Sequence, residues 1–262
     1  MEGGIHVAIR AETLTHVLGV PLTNTLLMSW VVVIVLTILA LSIRRKISMV
    51  PSKLQLLFEL LVENVLDFIQ TTLESKELAK RYFPLITTIF LFIFTANLLE
   101  FIPGVGSIGI LAREATAVAG KTEFIPLLRS MNTDLNVTLA LAIISFLVIE
   151  LSGIVVIGFF KYFNRFVPFQ AFKHGIGSGL ISMFVGIIEF VSELIRLISF
   201  SFRLFGNIFA GEVLLSVVTF FVPFIIPVPF MAFEVFVGFM QAAIFSLLTL
   251  FFIKLAVTEA AH

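Results

Sequence analysis

The segment 199–212 places an arginine, an asparagine and a glutamate (Arg203, Asn207 and Glu212) inside an otherwise apolar run. A charged side chain at the centre of a bilayer costs about 2.5–3.5 kcal/mol on insertion scales. A membrane segment retains such a charge where the charge has a partner, a water-filled path or a role in transport. Ion transport is therefore the chemistry that this segment predicts.

The charged and amide side chains around this segment share one side of a helix. At about 100° per residue they fall on a stripe about 80° wide, formed by Glu189, Glu193, Arg196, Arg203 and Asn207. Glu212 is nine positions beyond Arg203 and lies on the opposite face. This arrangement suits two polar routes that do not join, with a cation between them.

A second polar pair follows the proline-rich turn 223–229. Glu234 and Gln241 are seven residues apart and share a face of the returning helix. Internal salt bridges are the alternative explanation for Glu189, Glu193 and Arg196. Arg203 has no acidic residue three or four positions away, so local pairing does not explain it.

The composition is that of a polytopic membrane protein. Hydrophobic residues make up 59% of the 262 positions, charged residues 13%, and the mean hydropathy is +1.13, whereas soluble domains carry about 25% charged residues. The formal net charge of zero gives no bulk field that would attract nucleic acid. The chain has no cysteine, which excludes disulfides and thiolate metal sites. We expect neither a cofactor nor a bound metal.

We predict an all-α polytopic membrane protein with about five crossings, formed by a single membrane domain over residues 1–262. Uncharged runs of about 20 residues are long enough to cross the hydrocarbon core. They predict three spans, at 22–43, 82–102 and 135–160. The segment 175–257, which is apolar but carries charged residues and the proline-rich turn, predicts a long helical hairpin. The remaining segments are an external arm at 1–20, an amphipathic helix at 51–73 that begins with Pro51, and an external loop at 103–134. The amphipathic helix lies either on the cytoplasmic membrane surface or against the bundle.

Basic residues orient the chain. Lysine and arginine are concentrated in 44–81 and 161–174, whereas 103–134 holds only Arg113, Lys121 and Arg129. The positive-inside rule places the first two segments in the cytoplasm and the loop outside. With five crossings, the N-terminus is expected outside and the C-terminus in the cytoplasm.

One apparent nucleotide motif is rejected. Gly104-Val-Gly106-Ser-Ile-Gly109 matches the dinucleotide-binding pattern, but it follows a membrane span and Pro103 instead of a strand. The chain also lacks a Walker-type GxxxxGK[ST] sequence. We therefore expect a non-catalytic chain without a nucleotide site.

The run Arg203-Leu-Phe-Gly-Asn-Ile-Phe-Ala-Gly-Glu212 closely resembles the signature of subunit a of the F-type ATP synthase. Asn97-Leu-Leu-Glu-Phe-Ile-Pro-Gly104 resembles the end of that family's second span. Asn132-Thr-Asp-Leu-Asn-Val-Thr138 and Gln241-Ala-Ala-Ile-Phe-Ser-Leu-Leu-Thr249 resemble its entry to the third span and its last helix. The arm 1–20 and the loop 105–128 lie outside the resemblance.

The resemblance implies a stator channel subunit in the bacterial inner membrane, working with a c-ring, subunit b and the rest of the ATP synthase. The helical hairpin 175–257 would be tilted and face the ring, and two offset half-channels would carry protons to and from the carboxylates of the ring. Arg203 matches the essential arginine, which holds a passing carboxylate ionised and blocks leakage between the half-channels. The other family positions around the two paths are matched by Asn207, Glu212, Glu234 and Gln241 on the outer path, Asp134 near its mouth, and Glu189 on the inner path.

The chain departs from the family at one pair of positions. Glu212 and Glu234 are both glutamates, where one of the two positions is often histidine in the family. Two nearby carboxylates titrate as a coupled pair, and we expect these two to substitute partly for each other. Glu100 and Glu150 receive no role.

Two other functions remain open from the sequence. A secondary transporter or channel that works alone would also carry charges inside the membrane, although the chain shows no inverted or parallel repeat. A purely structural scaffold would leave Arg203 unexplained. Ion transport without a c-ring would favour the stand-alone transporter.

Overall fold

A computed structural model of the chain describes residues 11–17, 19–45, 53–102, 104–113, 122–166 and 176–258. Residues 1–10 of the external arm, Pro51, Pro103 and Lys121 lie outside the described residues.

Helices dominate the described chain, which confirms the predicted all-α membrane class. In chain order they are α1 (Asn24–Arg45), α2 (Lys53–Leu73), α3 (Lys76–Leu99), α4 (Leu135–Ile157), α5 (Phe159–Phe166), α6 (Ile176–Phe221) and α7 (Pro227–Thr258). Among the described residues, four of these helices are long and apolar enough to cross a membrane: α1, α3, α4 and α7. The predicted spans lie on α1, α3 and α4, and the predicted hairpin lies on α6 and α7.

Two short antiparallel hairpins were not predicted from the sequence. One pairs β1 (Thr13–Val17) with β2 (Val20–Thr23), and the other pairs β3 (Gly109–Arg113) with β4 (Thr122–Pro126). Both lie in segments that the sequence places mainly outside the membrane. Their residues lack the long apolar runs on which the prediction of spans depends.

Local sequence explains where several helices begin and end. Ser75 caps α3 by accepting a hydrogen bond from the amide of Leu78 at 3.4 Å, and Asp134 caps α4 through the amide of Asn136 at 2.9 Å. Side-chain oxygens at this position satisfy amides that the first helical turn leaves free. Gly158, with φ of 92°, ends α4 before α5 begins. Pro227 occupies the first position of α7, where proline costs no hydrogen bond.

The helix α6 is much longer than a membrane crossing requires. Its 46 residues span about 69 Å at 1.5 Å per residue, more than twice the thickness of a hydrocarbon core of about 30 Å. It packs against α4 and α7, with Phe200, Leu204 and Ile208 buried in the cluster that also contains Ala242 and Phe245 of α7. This packing fixes which face of α6 remains uncovered.

A buried amide network joins α3, α7 and the loop before α4. Asn97 of α3 donates a hydrogen bond through Nδ2 to the carbonyl of Gly238 at 2.9 Å, and Asn132 donates to Asn97 Oδ1 at 2.7 Å. Gly238 permits this approach, because a Cβ there would lie 2.9 Å from the Cβ of Asn97. The network therefore anchors the segment before α4 to the pair of helices beside it.

Candidate functional site

Arg203 lies on the uncovered face of α6. Its side chain is exposed, as are those of Phe202 and Asn207, whereas Leu204, about 100° further around the helix, is buried. The guanidinium donates to Ser199 Oγ, one turn earlier, at 3.5 Å. No carboxylate among the described residues forms an ion pair with it.

Gln241 lies close to Arg203. The two side chains line a small cavity between α6 and α7, together with Phe200, Leu204, Ile244, Phe245 and Leu248. Gln241 is partly exposed. Of the residues predicted for the site, the structure thus brings Arg203 and Gln241 together on neighbouring helices and leaves Asn207 on the same exposed face as Arg203.

A large polar cavity lies beyond Arg203 toward the end of α6. Its volume is about 720 Å³, and it is bounded by the end of α3, the loop before α4, α6 and the start of α7. The ionisable side chains in its wall are Glu100, Arg129 and Glu212. Ser130 and Ser216 add hydroxyl groups, so the cavity has the polar lining that a water-filled path needs.

Arg129 and Glu212 form a bidentate ion pair in the wall of this cavity. Arg129 Nε donates to Glu212 Oε1 at 3.0 Å, and Nη2 donates to Oε2 at 2.9 Å. The Arg129 side chain is 7% exposed and that of Glu212 is 25% exposed. Two parallel charge-assisted bonds of this kind fix both the charge and the orientation of the carboxylate.

Glu234 lies beside this pair in a different environment. Its side chain is 5% exposed, and its carboxylate lies against Gly211, where any Cβ would overlap it. Among the described residues, neither oxygen of Glu234 has a hydrogen-bond partner. The two glutamates predicted to act together are therefore neighbours, but one is firmly paired and the other is not.

A second cavity lies on the other side of Arg203. Its volume is about 480 Å³, and its wall is mainly aromatic and aliphatic. The polar side-chain groups in the wall are the carboxylates of Glu150 and Glu193 and the hydroxyl of Tyr162. Tyr162 donates to Glu150 Oε2 at 2.7 Å, while Glu193 is 3% exposed. Gly153 makes room for Tyr162, because a Cβ there would overlap the phenol ring.

The remaining predicted residues lie at other places. The guanidinium carbon of Arg196 stacks 3.9 Å from the ring centroid of Phe252 on α7, and Glu189 is partly exposed on α6. Asp134 is buried and accepts a hydrogen bond from Thr25 Oγ1 at 2.9 Å in addition to capping α4. Among the described residues, Asp134 is not one of those that line the large polar cavity.

The two cavities and Arg203 follow one another along α6. Glu193 lies ten residues before Arg203 and Glu212 nine residues after it, which correspond to about 15 Å and about 14 Å of helix at 1.5 Å per residue. The two cavities therefore flank the arginine on opposite sides along the helix. Each cavity contains carboxylate groups, and the exposed guanidinium of Arg203 lies between the two cavities.

Arg129, Glu100, Glu150 and Tyr162 belong to these cavities and were not assigned from the sequence. Arg129 is separated from Glu212 by 83 residues, so no local periodicity reveals the pair. A single basic residue directly before a segment that resembles a family motif was the one available signal.

Comparisons with known proteins agree with the sequence resemblance. The family model described as the ATP synthase A chain matches residues 26–254. "ATP synthase subunit a" of Sulfurihydrogenibium sp. (strain YO3AOP1) is 33% identical over 238 residues, which cover 90% of this chain and 98% of that protein. The protein of the same name from Campylobacter jejuni subsp. jejuni serotype O:23/36 (strain 81-176) is 34% identical over 233 residues, 88% of this chain and 89% of that protein.

A more distant relative is matched over an even larger share of the chain. "ATP synthase subunit a" of Moorella thermoacetica is 28% identical over 245 residues, 94% of this chain and 95% of that protein. The family match thus extends from α1 to the last turns of α7. The apolar helices and these matches together show a multi-pass membrane protein that belongs to the family of F-type ATP synthase subunit a.

Proposed function

We propose that this chain provides two offset half-channels, which carry protons to and from the carboxylates of a c-ring and couple ion flow to rotation and ATP synthesis. It works in this proposal as the stator subunit of the membrane sector, beside subunit b. Arg203 holds the passing carboxylate of the ring in its ionised form and prevents protons from crossing directly between the half-channels.

The observation that carries the proposal is the exposed guanidinium of Arg203 on an apolar helix face, where no carboxylate of the described residues forms an ion pair with it. Arginine keeps its proton under all ordinary conditions, and a charge facing lipid is costly. A carboxylate presented by another subunit removes that cost. The exposed face of α6 is therefore the surface that we assign to the ring.

The two cavities support the paths on either side. The outer path runs through the cavity with Glu100, Glu212 and the nearby Glu234, and continues past Gln241 to Arg203. The inner path uses the cavity with Glu150 and Glu193 and the adjacent Glu189. Because the cavities are separated along α6, a proton must leave one path and travel on the ring before it enters the other.

Arg203→Ala in the assembled complex tests this function. We expect ATP-driven proton pumping and proton-driven ATP synthesis to be abolished in membrane vesicles, while the subunits remain assembled. Arg81→Ala is the matched control, because Arg81 lies near the start of α3 and stacks on Tyr82. Normal coupled pumping by the Arg203→Ala complex would reject the proposal.

The stand-alone transporter remains the second candidate, because intramembrane carboxylates also suit secondary transporters. Reconstitution of the purified chain in liposomes separates the two. We expect no proton flux through the chain alone and flux when the c-ring and subunit b are reconstituted with it. Flux of the same size without the ring would favour the transporter.

A further inference from the structure

We propose that Arg129 is a positioning residue for ion entry: it holds Glu212 as a fixed anion and leaves Glu234 as the carboxylate that takes up and releases the transported proton. This inference rests on the proposed half-channel function. It assigns different roles to two glutamates that the sequence treats as equivalent.

The first support is the geometry of the Arg129–Glu212 pair. Both carboxylate oxygens are engaged at hydrogen-bond distance by one guanidinium. Protonation of Glu212 would sacrifice one of these charge-assisted bonds and leave a buried arginine without its counter-ion. Breaking one side of a buried pair is strongly unfavourable, so Glu212 is poorly suited to exchange protons during each passage.

The second support is the rigid attachment of Arg129. Backbone hydrogen bonds continue the β3–β4 pairing to the residues just before it, from Leu127 to Ile108 and from Gly106 to Leu128, each at 2.9 Å. Three residues after it, Asn132 donates a hydrogen bond to Asn97 of α3. The arginine is thus held from both sides of the chain, and it can act as a fixed point to which α6 is fastened.

The third support is the contrasting position of Glu234. Its carboxylate is buried beside Gly211, and among the described residues it has no hydrogen-bond partner for either oxygen. A carboxyl group in such surroundings gains little from permanent charge. As a carboxylate, Glu234 can accept a proton that comes from water in the outer cavity and become the neutral acid. It returns to the carboxylate when it passes that proton on.

The test uses proton flux through assembled complexes that carry Arg129→Gln, Glu212→Gln or both. We expect Arg129→Gln to lower the flux by about tenfold, a change that lies within the range of interaction energies between contacting residues. Arg129→Lys keeps the positive charge but cannot form the bidentate pair of hydrogen bonds, so this variant should retain part of the flux that Arg129→Gln loses. If the Arg129 side chain only supported the fold, Arg129→Lys would not restore more flux than Arg129→Gln.

The decisive comparison is Glu212→Gln with the double variant. If Arg129 acts through Glu212, adding Arg129→Gln to Glu212→Gln should cause less than about a twofold further loss. A further loss of about tenfold would overturn the proposal. This comparison works even where Arg129→Gln alone prevents assembly, because the double variant contains no unpaired partner.

A matched control breaks an ion pair of similar length elsewhere. Lys254 Nζ lies 2.7 Å from Glu74 Oε1 on the exposed surface, and Lys254→Gln should leave the flux unchanged. Arg203→Ala distinguishes the two proposals: an inactive Arg203→Ala complex beside a fully active Arg129→Gln complex rejects only the role of Arg129. Normal pumping by both variants would reject the half-channel function itself.

Discussion

Gly211 and Glu234 lie in contact between α6 and α7, with the glutamate carboxylate in the space that a side chain at Gly211 would take. The carboxylate is next to the residue that precedes Glu212, and it is shielded from solvent. The absence of one methyl group on α6 therefore positions a carboxylate that belongs to α7.

Gly211→Ala should lower proton flux without preventing assembly. The new methyl group overlaps the Glu234 carboxylate and forces it to another position, and displacement of a reacting group by about 1 Å can cost up to about a hundredfold in rate. We expect a loss of at least about tenfold. Alanine is the better helix former by about 1 kcal/mol, so α6 itself should not be weakened.

The matched control for this prediction is Gly177→Ala. Gly177 lies at the start of α6, and a Cβ there meets no atom within 4 Å. Vesicles with the Gly177→Ala complex should pump normally. Equal flux in the Gly211 and Gly177 variants would show that the close contact has no part in transport.

Glu212 and Glu234 should contribute unequally, and their losses should combine more than additively in free energy. Glu234→Gln removes the unpaired carboxylate and should lower flux more than Glu212→Gln. Without Glu234, Glu212 is the carboxylate left at this place and can carry the proton slowly in spite of its pairing with Arg129, so the double variant should lose at least about tenfold more than the product of the two single effects. Proton flux in vesicles, expressed as a double-mutant cycle, measures this coupling. Losses that simply multiply would show that the two carboxylates act independently.

The buried network around Asn97 should stabilise the bundle. Asn97→Ala leaves the side-chain amide of Asn132 without its partner and removes the side-chain hydrogen bond to the carbonyl of Gly238. A buried amide without a partner costs about 1–3 kcal/mol. We expect a lower midpoint of thermal unfolding for the complex in detergent. Asn64→Ala is the control, because its amide binds the carbonyl of Leu60 on the exposed surface of α2. The same midpoint in both variants would contradict a structural role for the network.

The helices were predictable because their signal is local. Each of α1, α3 and α4 follows from one apolar run of about 20 residues, and the two helices of the hairpin follow from apolar sequence on either side of a proline-rich turn. The sequence also predicts that Arg203 has no ion-pair partner on its own helix, because no acidic residue lies one turn away.

The polar contacts between distant segments were not predictable. Arg129 meets Glu212 across 83 residues and Asn97 meets Gly238 across 141, and helix periodicity carries no information on such pairs. For Asp134, the resemblance suggests the mouth of a channel. Its position before an apolar run equally indicates a helix cap, and the structure shows that hydrogen bond.

The orientation of the chain is a prediction that cysteine labelling can test cleanly, because the sequence has no cysteine of its own. Ser107 lies in the loop expected outside, and Lys80 lies in the basic region expected in the cytoplasm. Both side chains are exposed.

An impermeant thiol reagent added to intact cells should label a Ser107→Cys variant and leave a Lys80→Cys variant unlabelled. Inverted membrane vesicles, which expose the cytoplasmic side, should show the opposite preference and serve as the control for reactivity. The physical reason is the excess of lysine and arginine in 44–81, which is retained on the cytoplasmic side during insertion. Labelling of Lys80→Cys in intact cells, with Ser107→Cys protected, would reverse the orientation and place the large polar cavity beside Glu212 on the cytoplasmic side.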